Sequence, residues 1–455
     1  MDQVIGYEHS RPFVEVPPPP KGLAKHPLCA GIVTEYNPFH SGHEWMIRQL
    51  RAGGIHTVVC VMSGPFVQRA EAGILPTHLR ARAALAGGAD LVLRLPVSWA
   101  VASAETFARG AVGLLSALGC VDVLAFGAEC EDTNRLEALA GMLLAPEFVP
   151  VLKSELAKGV SFAAARAAAA ERLMPGAAEL LDTPNNILAV EYIKALLGVV
   201  PDVLRSKMDE SVRFRVVNGL YGNSSEMDRL FPLPVPLALP RVGTRHDGPP
   251  AEGFASASWL RRVAGRDGVE AWAPYVPEAC MKLYRQAEAQ GAVLDYGRYE
   301  VALLSRLKAM RAQDFARHTG AGEGLENRLA DAVQKATGLE QMYDLAKTKR
   351  FAHSRVRRLA LSAALGLPQM PGVIPPFAQV LGASGKGLAL LKRIKQNGMV
   401  PVSTSLAKLA KTGGEAEGVV RIEARAEDLH AMWLKSPQPG GGAYTHPAAM
   451  LVKDR

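Results

Sequence analysis

Short apolar runs alternate with helical stretches along the first part of the chain, from Cys29 to Glu129. The runs CAGIVTEY, HTVVCVMS, DLVLRLP and VDVLAFGAE are rich in Val, Ile and Leu, and they predict four buried strands. The segments between them, such as SGHEWMIRQLRAGG and SAETFARGAVGLLSALG, repeat apolar residues at helical spacing. This alternation predicts an α/β fold, in which a parallel sheet is covered by helices and ligands bind where the strands end.

The remainder of the chain is mainly helical. Residues 200–240 are mixed in character and end in the proline-rich FPLPVPLALP, which we interpret as an irregular excursion. Helical periodicity then returns, and a smaller stretch of mixed strand and helix follows it. We therefore expect a flexible N-terminal arm over 1–28, an α/β domain over 29–267, a basic helical region over 268–370 and a small mixed α/β C-terminal domain over 371–455.

Composition and charge limit the classes of protein to which the chain can belong. Hydrophobic residues make up 48% of the 455 residues, enough for a sizeable core. Lys and Arg outnumber Asp and Glu by 52 to 44, an excess that permits nucleic-acid binding without establishing it. The five cysteines lack the CxxC spacing of a zinc site, and nearly all of them lie in apolar runs, which favours a reducing compartment. Because no apolar run is long enough for a membrane span and no signal peptide is evident, we expect a cytoplasmic protein without a membrane partner.

The stretch EYNPFHSGHEWMI carries the clearest chemical signal. It places His40 and His43 three residues apart, after a predicted strand and at the start of an amphipathic helix. A helix that begins near Ser41 is expected to leave several backbone N–H groups unpaired, and its dipole adds about half an elementary charge there. Imidazoles can donate hydrogen bonds to phosphate oxygens, and Gly42 lets a phosphate approach closely. Triphosphate binding is the favoured interpretation; the alternative is that the two histidines only cap the helix.

A longer series of motifs gives the chain a family resemblance. GIVTEYNPFHSGH is followed in order by VMSGPFVQRAEAGILPTHLRARAALAGGADLVLRLP, FGAE, PNNILAVEYIKAL, FASASWLRR, GLENRL and KTKRFAHSRVRRLAL. Over nearly three quarters of its length the chain thus resembles the bacterial tRNA(Met) cytidine acetate ligase family. HxGH alone marks only the wider nucleotidyltransferase superfamily, whereas EYNPFHSGH followed by SGPFVQR and much later by KTKR is far more specific.

The resemblance implies a nucleotidyltransferase-like, Rossmann-like N-terminal fold and an ATP-dependent ligase. Such an enzyme activates acetate with ATP to acetyl-adenylate and then acetylates N4 of the wobble cytidine of elongator tRNA(Met). His40 and His43 would act on the phosphates, and Mg²⁺ would accompany ATP, although no carboxylate identifies itself as its ligand. The implied ATP-binding residues are Gly31, Ile32, Val33, Thr34, Glu35, Tyr36, Asn37, Pro38, Phe39, His40, Ser41, Gly42, His43, Gly127, Asn185, Asn186 and Arg241.

The assignments outside the histidine motif also make chemical sense, with alternatives. Gly127 ends a predicted strand, where a missing side chain would let the nucleotide pack on the backbone, although it could simply form a turn. Asn185 and Asn186 offer donor and acceptor groups, but they precede a helix, so we expect one of them to be its N-cap. Arg241 offers a permanently charged guanidinium for phosphate, and its assignment depends on a short sequence match.

The chain also departs from the family's usual pattern. Ala70 and Ala72 stand in a motif that is usually QRGEP, Thr77 and His78 stand where a Lys-Trp pair is usual, and Arg94 replaces the glutamate of ELP. We expect these positions to lie around the loop that faces the substrate. A nucleotidyltransferase that acts on another small molecule, or a non-enzymatic RNA-binding relative, therefore stays open as an alternative.

The segment KTKRFAHSRVRR is the best candidate for RNA contact. Its six cations fall within twelve residues, and Phe351 and His353 are interleaved with them. Such a cluster can contact phosphates, and an aromatic ring can stack on an unpaired anticodon base; the alternative is a solvated basic helix face. The predicted tRNA-binding residues are Lys347, Lys349, Arg350, Arg355, Arg357 and Arg358.

Overall fold

The structure is a computed structural model that describes residues 27–198, 200, 202–203, 233–241, 250–251, 253–369 and 371–451. Residues 1–26 of the expected N-terminal arm lie outside the described residues, as does most of the stretch 200–240.

The described strands are β1 (Cys29–Thr34), β2 (Thr57–Ser63), β3 (Phe66–Val67), β4 (Glu71–Ala72), β5 (Leu91–Leu95), β6 (Val123–Ala128), β7 (Val235–Pro240), β8 (Ala378–Ser384), β9 (Val402–Ser403) and β10 (Ala449–Leu451). The described helices of the first half are α1 (Ser41–Ala52), α2 (Thr77–Ala86), α3 (Val97–Ala100), α4 (Ala104–Ala117), α5 (Thr133–Leu144), α6 (Phe148–Leu156), α7 (Phe162–Leu173), α8 (Ala177–Leu180) and α9 (Pro184–Leu197).

The helices described after β7 are α10 (Ala257–Asp267), α11 (Glu278–Ala289), α12 (Tyr296–Lys308), α13 (Ala312–Phe315), α14 (Leu325–Lys335), α15 (Leu339–Ala346), α16 (His353–Leu365), α17 (Gly385–Asn397), α18 (Leu406–Ala410), α19 (Glu415–Met432) and α20 (Gly442–Thr445). A short 3₁₀ helix (Val269–Tyr275) joins α10 to α11.

Eight strands form one sheet in the order β10-β8-β5-β2-β1-β6-β7, with β9 paired to β8. Strands β5, β2, β1, β6 and β7 are all parallel to their neighbours in this row, and β8 is antiparallel to β5. The four strands predicted from the apolar runs are all present, so the predicted α/β fold with a parallel sheet is confirmed. Because parallel strands end at the same edge, the loops after β1, β2, β6 and β7 lie along one side of the sheet.

Helices cover both faces of the sheet. Helices α4, α5, α9 and α17 pack on one face over residues such as Val59 and Val61, and α1, α2, α10 and α11 pack on the other over Ile32 and Cys60. Burial of both faces explains why the strands are continuous apolar runs without alternation. Gly31 lets α4 approach closely, since a Cβ at this position would lie 2.9 Å from side-chain atoms of Leu115.

The C-terminal segment 371–455, which we expected to form a small domain, adds strands to the main sheet in its described part. β8 pairs with β5, and β9 and β10 pair with β8. The segment is therefore continuous with the α/β fold through its backbone hydrogen bonds. The apolar run of β8 predicts a strand, but the strand that it pairs with is almost 300 residues away, and local periodicity carries no signal of that partner.

The proline-rich FPLPVPLALP, which we interpreted as irregular, contains β7. This strand lies at the end of the sheet and pairs in parallel with β6 over its six residues. An edge strand needs backbone donors on one side only, so it tolerates Pro236 and Pro240 where a central strand would not. The interpretation was wrong for this part of the stretch.

A second hydrophobic core lies beneath the helical region. Leu303, Leu329, Val333, Met342 and Leu359, from helices α12, α14, α15 and α16, are almost fully buried there. No helix in the described ranges is long and apolar enough to cross a membrane. All five cysteines are free thiols.

Candidate functional site

The candidate site lies at the sheet edge where the parallel strands end. β1 leads through the loop 35–40 into α1, and β6 and β7 end side by side, with Gly127 opposite Leu239. Arg241 directly follows β7, so the fold brings it to the same edge as the histidine motif. Gly127 is therefore a strand residue, and the alternative that it forms a turn was wrong. A Cβ on Gly127 would lie 3.5 Å from Cγ of Arg241.

His40 and His43 cap the helix α1 with one nitrogen each. The N–H of Gly42 donates to Nδ1 of His40 at 3.1 Å, and the N–H of His40 donates to Nδ1 of His43 at 3.2 Å. The two rings are stacked, with centroids 3.7 Å apart. A neutral imidazole whose Nδ1 accepts a hydrogen bond carries its proton on Nε2. Both histidines therefore cap the helix, and the caps leave the Nε2–H of each ring as a donor.

Both imidazoles are uncharged at neutral pH. Burial lowers the pKa of His40 to about 3, together with the charges of Arg241 and Arg261. Burial also holds the pKa of His43 well below its ordinary value, with contributions from His40 and Arg241. The histidines are thus neutral hydrogen-bond donors, and the arginines supply the positive charge of the site.

The backbone N–H groups at the start of α1 already have partners. His43 and Glu44 donate to the carbonyl oxygen of His40 at 2.9 and 3.2 Å, and Gly42 donates to the His40 ring. The expectation of several unpaired amides was therefore wrong for these residues. The missing side chain of Gly42 makes room for that ring, since a Cβ would lie 3.1 Å from its Cε1. An anion here would meet imidazole N–H groups in place of amides.

Much of the stretch 31–43 supports the loop from within the core. Tyr36 and Phe39 are buried, and the side-chain oxygen of Asn37 accepts from the N–H of Ile74 at 2.7 Å. Phe39 packs so closely against Gly87 that a Cβ there would lie 2.2 Å from the ring. These contacts fix the loop. The half-buried residues of the stretch are Val33, Glu35, His40, Ser41, Gly42 and His43.

Glu129 joins the other predicted residues into one cluster. Its carboxylate accepts from the side chain of Asn185 at 2.5 Å and from the N–H of Asn186 at 3.2 Å, and it lies 4.0 Å from Nε of Arg241. In return, Oδ1 of Asn186 accepts from the N–H groups of Glu129 and Cys130 at 2.9 and 3.0 Å. Sequence reasoning did not single out Glu129, although it closes the motif FGAE, because a carboxylate after a strand carries no signal of its distant partners.

Neither asparagine is the N-cap of α9. The helix begins at Pro184 with Thr183 as N-cap, so both asparagines lie in its first turn and the N-cap expectation was wrong. Proline suits the first helical position because that position needs no backbone donor. Asn186 is buried and its Oδ1 is used within the protein, whereas Asn185 is half-buried and more accessible.

The exposed cations of the basic segment lie between α15 and α16. Lys347, Lys349 and Arg350 are exposed, as expected for residues that meet a phosphate backbone. Phe351 is only 7% exposed and packs into the core of the helical region. It cannot stack on a base in this position, so that expectation was wrong for Phe351. The ring of His353 lies 3.1 Å from a carboxylate oxygen of Asp344.

The three arginines within α16 are half-buried, and two of them are paired. Arg355 donates to Glu323 at 2.8 Å, and Arg357 donates to Glu340 at 2.8 Å and to Glu71 at 3.4 Å. Burial lowers the pKa of Arg358 to about 10, with a further contribution from Arg355. The segment has no acidic residue of its own, but the fold supplies carboxylates from other elements. These paired arginines hold the helical region together.

Two of the positions that depart from the family's pattern pack into the interior. Ala70 and Ala72 are each 2% exposed and belong to the core beneath the helical region. They do not lie on a substrate-facing surface, contrary to our expectation. Their neighbour Thr77, the first residue of α2, is also buried.

Arg94 is a buried partner of the C-terminal helix α19. Its guanidinium donates to Glu423 at 3.1 Å and to Glu427 at 2.6 Å, and these carboxylates raise its pKa against the opposing effect of burial. His78 stacks on His446, with ring centroids 4.2 Å apart. Residues of the C-terminal segment therefore accommodate both departures. An altered substrate is not needed to explain them.

The described residues of the site do not form a cluster of metal ligands. Among the described residues, no group of three or more His, Cys, Asp or Glu side chains is placed to hold a metal ion. The carboxylates along this edge, Glu35 and Glu129, are occupied by protein donors. Because Mg²⁺ prefers water and substrate phosphates to an all-protein cage, the site fits this ion only as a companion of a triphosphate.

Known proteins similar to this chain cover almost its whole length. The sequence profile of the HIGH Nucleotidyl Transferase family matches residues 28–204 and 232–442. The tRNA(Met) cytidine acetate ligase of Caldanaerobacter subterraneus subsp. tengcongensis is 33% identical over 92% of this chain and 99% of its own. That of Acetivibrio thermocellus is 30% identical over 90% of this chain and 95% of its own. The crystal structure of Thermotoga maritima TmcAL bound with alpha-thio ATP aligns with a TM-score of 0.80 at 26% identity, over 94% of this chain and 100% of that one.

Proposed function

This chain belongs to the HIGH nucleotidyltransferase family and, within it, to the tRNA(Met) cytidine acetate ligases, and from this premise we propose its reaction. It is an ATP-dependent ligase that converts acetate and ATP to acetyl-adenylate and pyrophosphate. It then transfers the acetyl group to N4 of the wobble cytidine of elongator tRNA(Met).

The observation that carries the first step is the stacked pair His40 and His43. In adenylation an oxygen of acetate attacks the α-phosphorus, the bond from that phosphorus to the bridging oxygen breaks, and pyrophosphate leaves with the electron pair. No proton has to be transferred, so the protein contributes by positioning and by stabilising charge. Two fixed Nε2–H donors, with Arg241 acting on both rings, suit the negative charge that builds up on the leaving pyrophosphate.

The remaining nucleotide contacts come from the Glu129 cluster. Gly127 presents its backbone beside Arg241, and Asn185 keeps its side-chain oxygen available while its nitrogen donates to Glu129. We assign Asn185, in preference to the internally bonded Asn186, to the nucleotide. Mg²⁺, when bound with ATP, neutralises phosphate charge, and the protein would hold it through the triphosphate.

In the second step N4 of the cytidine attacks the acetyl carbonyl, AMP leaves, and N4 loses a proton. The exposed cations Lys347 and Lys349 support contact with tRNA phosphates, which supply a large share of the affinity in such complexes. Arg350 is also exposed and stays a candidate, although it lies 3.3 Å from Glu323. The half-buried Arg355 and Arg357 are assigned a structural role because carboxylates already neutralise them.

Two measurements test the proposal. The purified chain should catalyse acetate-dependent exchange of pyrophosphate into ATP, and mass spectrometry of elongator tRNA(Met) after incubation with ATP and labelled acetate should find label on the wobble cytidine. Exchange that ignores acetate and requires a phosphorylated small molecule would indicate a different acceptor. Tight tRNA binding without ATP binding would indicate a non-enzymatic relative.

A further inference from the structure

Arg69 lies at the tip of a short hairpin that follows β2. Strands β3 and β4 are antiparallel, and the N–H of Ala70 closes the turn by donating to the carbonyl oxygen of Val67 at 2.9 Å. Phe66 and Ala72 are buried at the base of the hairpin. The hairpin is thus fixed by packing, and its tip is a defined position.

Both sequence neighbours of the turn attach it to the loop before α1. The N–H of Gln68 donates to a carboxylate oxygen of Glu35 at 2.9 Å. On the other side, Glu71 accepts from Arg261 at 2.9 Å, and Arg261 also donates to the carbonyl oxygen of Asn37 at 2.9 Å. Glu35 and Asn37 both belong to the loop 35–40, so Arg69 is held beside this loop.

Arg69 itself has no protein partner within the described part of the chain. Its guanidinium forms neither a hydrogen bond nor an ion pair there, although the residue is half-buried. The neighbouring Arg80 donates to the carbonyl oxygens of Leu75, Glu35 and Gly64. A cation that has lost part of its hydration without gaining a partner is unfavourable, and an anionic ligand would compensate it.

The charge of Arg69 acts on the same region as that of Arg241. Burial lowers the pKa of Arg241, Glu129 opposes this effect, and Arg69 lowers it further. Arg69 also lowers the pKa of Glu35, against the rise that burial causes. Along the chain, Arg69 comes after β2 and Arg241 comes after β7. In the sheet, β2 and β7 lie on opposite sides of β1. An anion bound over the end of β1 would relieve the repulsion between the two guanidiniums.

We propose that Arg69 binds an oxyanion of the adenylation reactants, either the carboxylate of acetate or the α-phosphate of ATP. The planar guanidinium can donate two parallel hydrogen bonds to either group. This inference rests on the proposed function. Arg69 takes no part in bond making: it holds a reacting oxyanion while acetate attacks phosphorus and pyrophosphate leaves.

The test compares Arg69→Gln and Arg69→Lys with the native chain in acetate-dependent ATP–pyrophosphate exchange. We expect Arg69→Gln to lose about 10²-fold in kcat/KM, and Arg69→Lys to recover part of it because it keeps the charge without the paired donors. A raised KM for acetate identifies the carboxylate as the ligand, and a lowered kcat with both KM values unchanged identifies the α-phosphate. Arg82→Gln, which alters an exposed arginine of α2, is the matched control.

Exchange by Arg69→Gln at the rate of Arg82→Gln would overturn the inference alone. A native chain without acetate-dependent exchange would overturn the proposed function and this inference with it. Because the Arg69 guanidinium makes no contact that stabilises the fold, its variants should unfold at the native temperature. Thermal unfolding followed by circular dichroism checks this, and Arg69→Lys serves as the second variant if Arg69→Gln is unstable.

Discussion

The carboxylate of Glu71 accepts a hydrogen bond from Arg261 at 2.9 Å. Arg261 also donates to the carbonyl oxygen of Asn37 in the loop 35–40, and the other oxygen of Glu71 lies 3.4 Å from Arg357 of α16. A continuous chain of polar contacts thus connects the loop before α1 with the basic helix. Glu71 thus pairs with two arginines at once, and Arg357 also pairs with Glu340 at 2.8 Å.

Replacing Glu71 with Gln should weaken both connections, because Arg261 would then face a neutral amide and Arg357 would be left with its ion pair to Glu340. We expect the free energy of unfolding to fall by about 1–3 kcal/mol, measured by urea denaturation, and the KM for ATP to rise. Glu278→Gln is the control, since its ion pair with Arg285 is long, 3.5 Å, and exposed. That variant should lose less than about 1 kcal/mol. Equal losses of unfolding free energy in the two variants would contradict the role of Glu71 as a partner of both Arg261 and Arg357.

Replacing His43 with Ala should lower acetate-dependent exchange at least ~10²-fold, because it removes one donor for the leaving pyrophosphate. It also removes the acceptor of the His40 N–H, which should cost about 1 kcal/mol of stability. Rates must therefore be compared well below the unfolding temperature. His56→Ala, which removes an exposed imidazole, is the matched control and should retain native exchange. Normal exchange by His43→Ala would remove the histidine from the mechanism.

Two half-buried, neutral histidines, His40 and His78, make stability depend on pH. The pKa of His40 is about 3 and that of His78 about 4 in the folded protein, against 6.5 ordinarily. At a pH between the folded and the ordinary pKa values, the unfolded chain binds protons that the folded chain does not. The free energy of unfolding therefore falls as the pH falls below about 6.5, and these two histidines do not affect it above that pH. Urea denaturation at pH 7.5, 6.0 and 5.0 should show this decline. His78→Gln should make it smaller, and an unchanged decline would exclude His78 as a contributor.

Truncating Arg94 should destabilise the fold strongly. Arg94→Ala leaves the buried Glu423 and the partly buried Glu427 without their cation, which should cost about 3–5 kcal/mol by urea denaturation. The double variant Arg94→Met with Glu423→Gln should recover part of this loss, because it buries no unpaired charge at position 423. A loss below about 1 kcal/mol for Arg94→Ala would show that the pair does not tie α19 to the sheet.

Exposed and paired cations should differ in their effect on tRNA binding. Lys347→Ala and Lys349→Ala should weaken binding, and each lost phosphate contact should reduce the slope of log affinity against log salt by about one unit. Arg355→Ala, which removes a cation already paired with Glu323, should leave that slope nearly unchanged. Filter binding at several salt concentrations measures both. If the slope changed more for Arg355→Ala than for the two lysine variants, Arg355 and not the lysines would be assigned to the tRNA phosphates.

The elements of the α/β fold could be predicted because their signals are local. The strand CAGIVT, the helix that begins at Ser41 and the histidine pair all lie between Cys29 and Ala52. The Glu129 cluster could be predicted only in part. Its members Gly127, Asn185 and Arg241 are implied by resemblance, whereas Glu129, which connects them, is recognised only when its hydrogen bonds are seen.

The sequence by itself determined the parallel sheet, the family and the position of the two histidines, because apolar periodicity and motif order are properties of the chain alone. The tertiary structure decided which charges are free. It paired Arg357 with Glu71 and Glu340, buried Arg94 against Glu423, and left Arg69 without a partner among the described residues. The physical reason is that an ion pair depends on distance in space, and the partners here lie up to 329 residues apart along the chain.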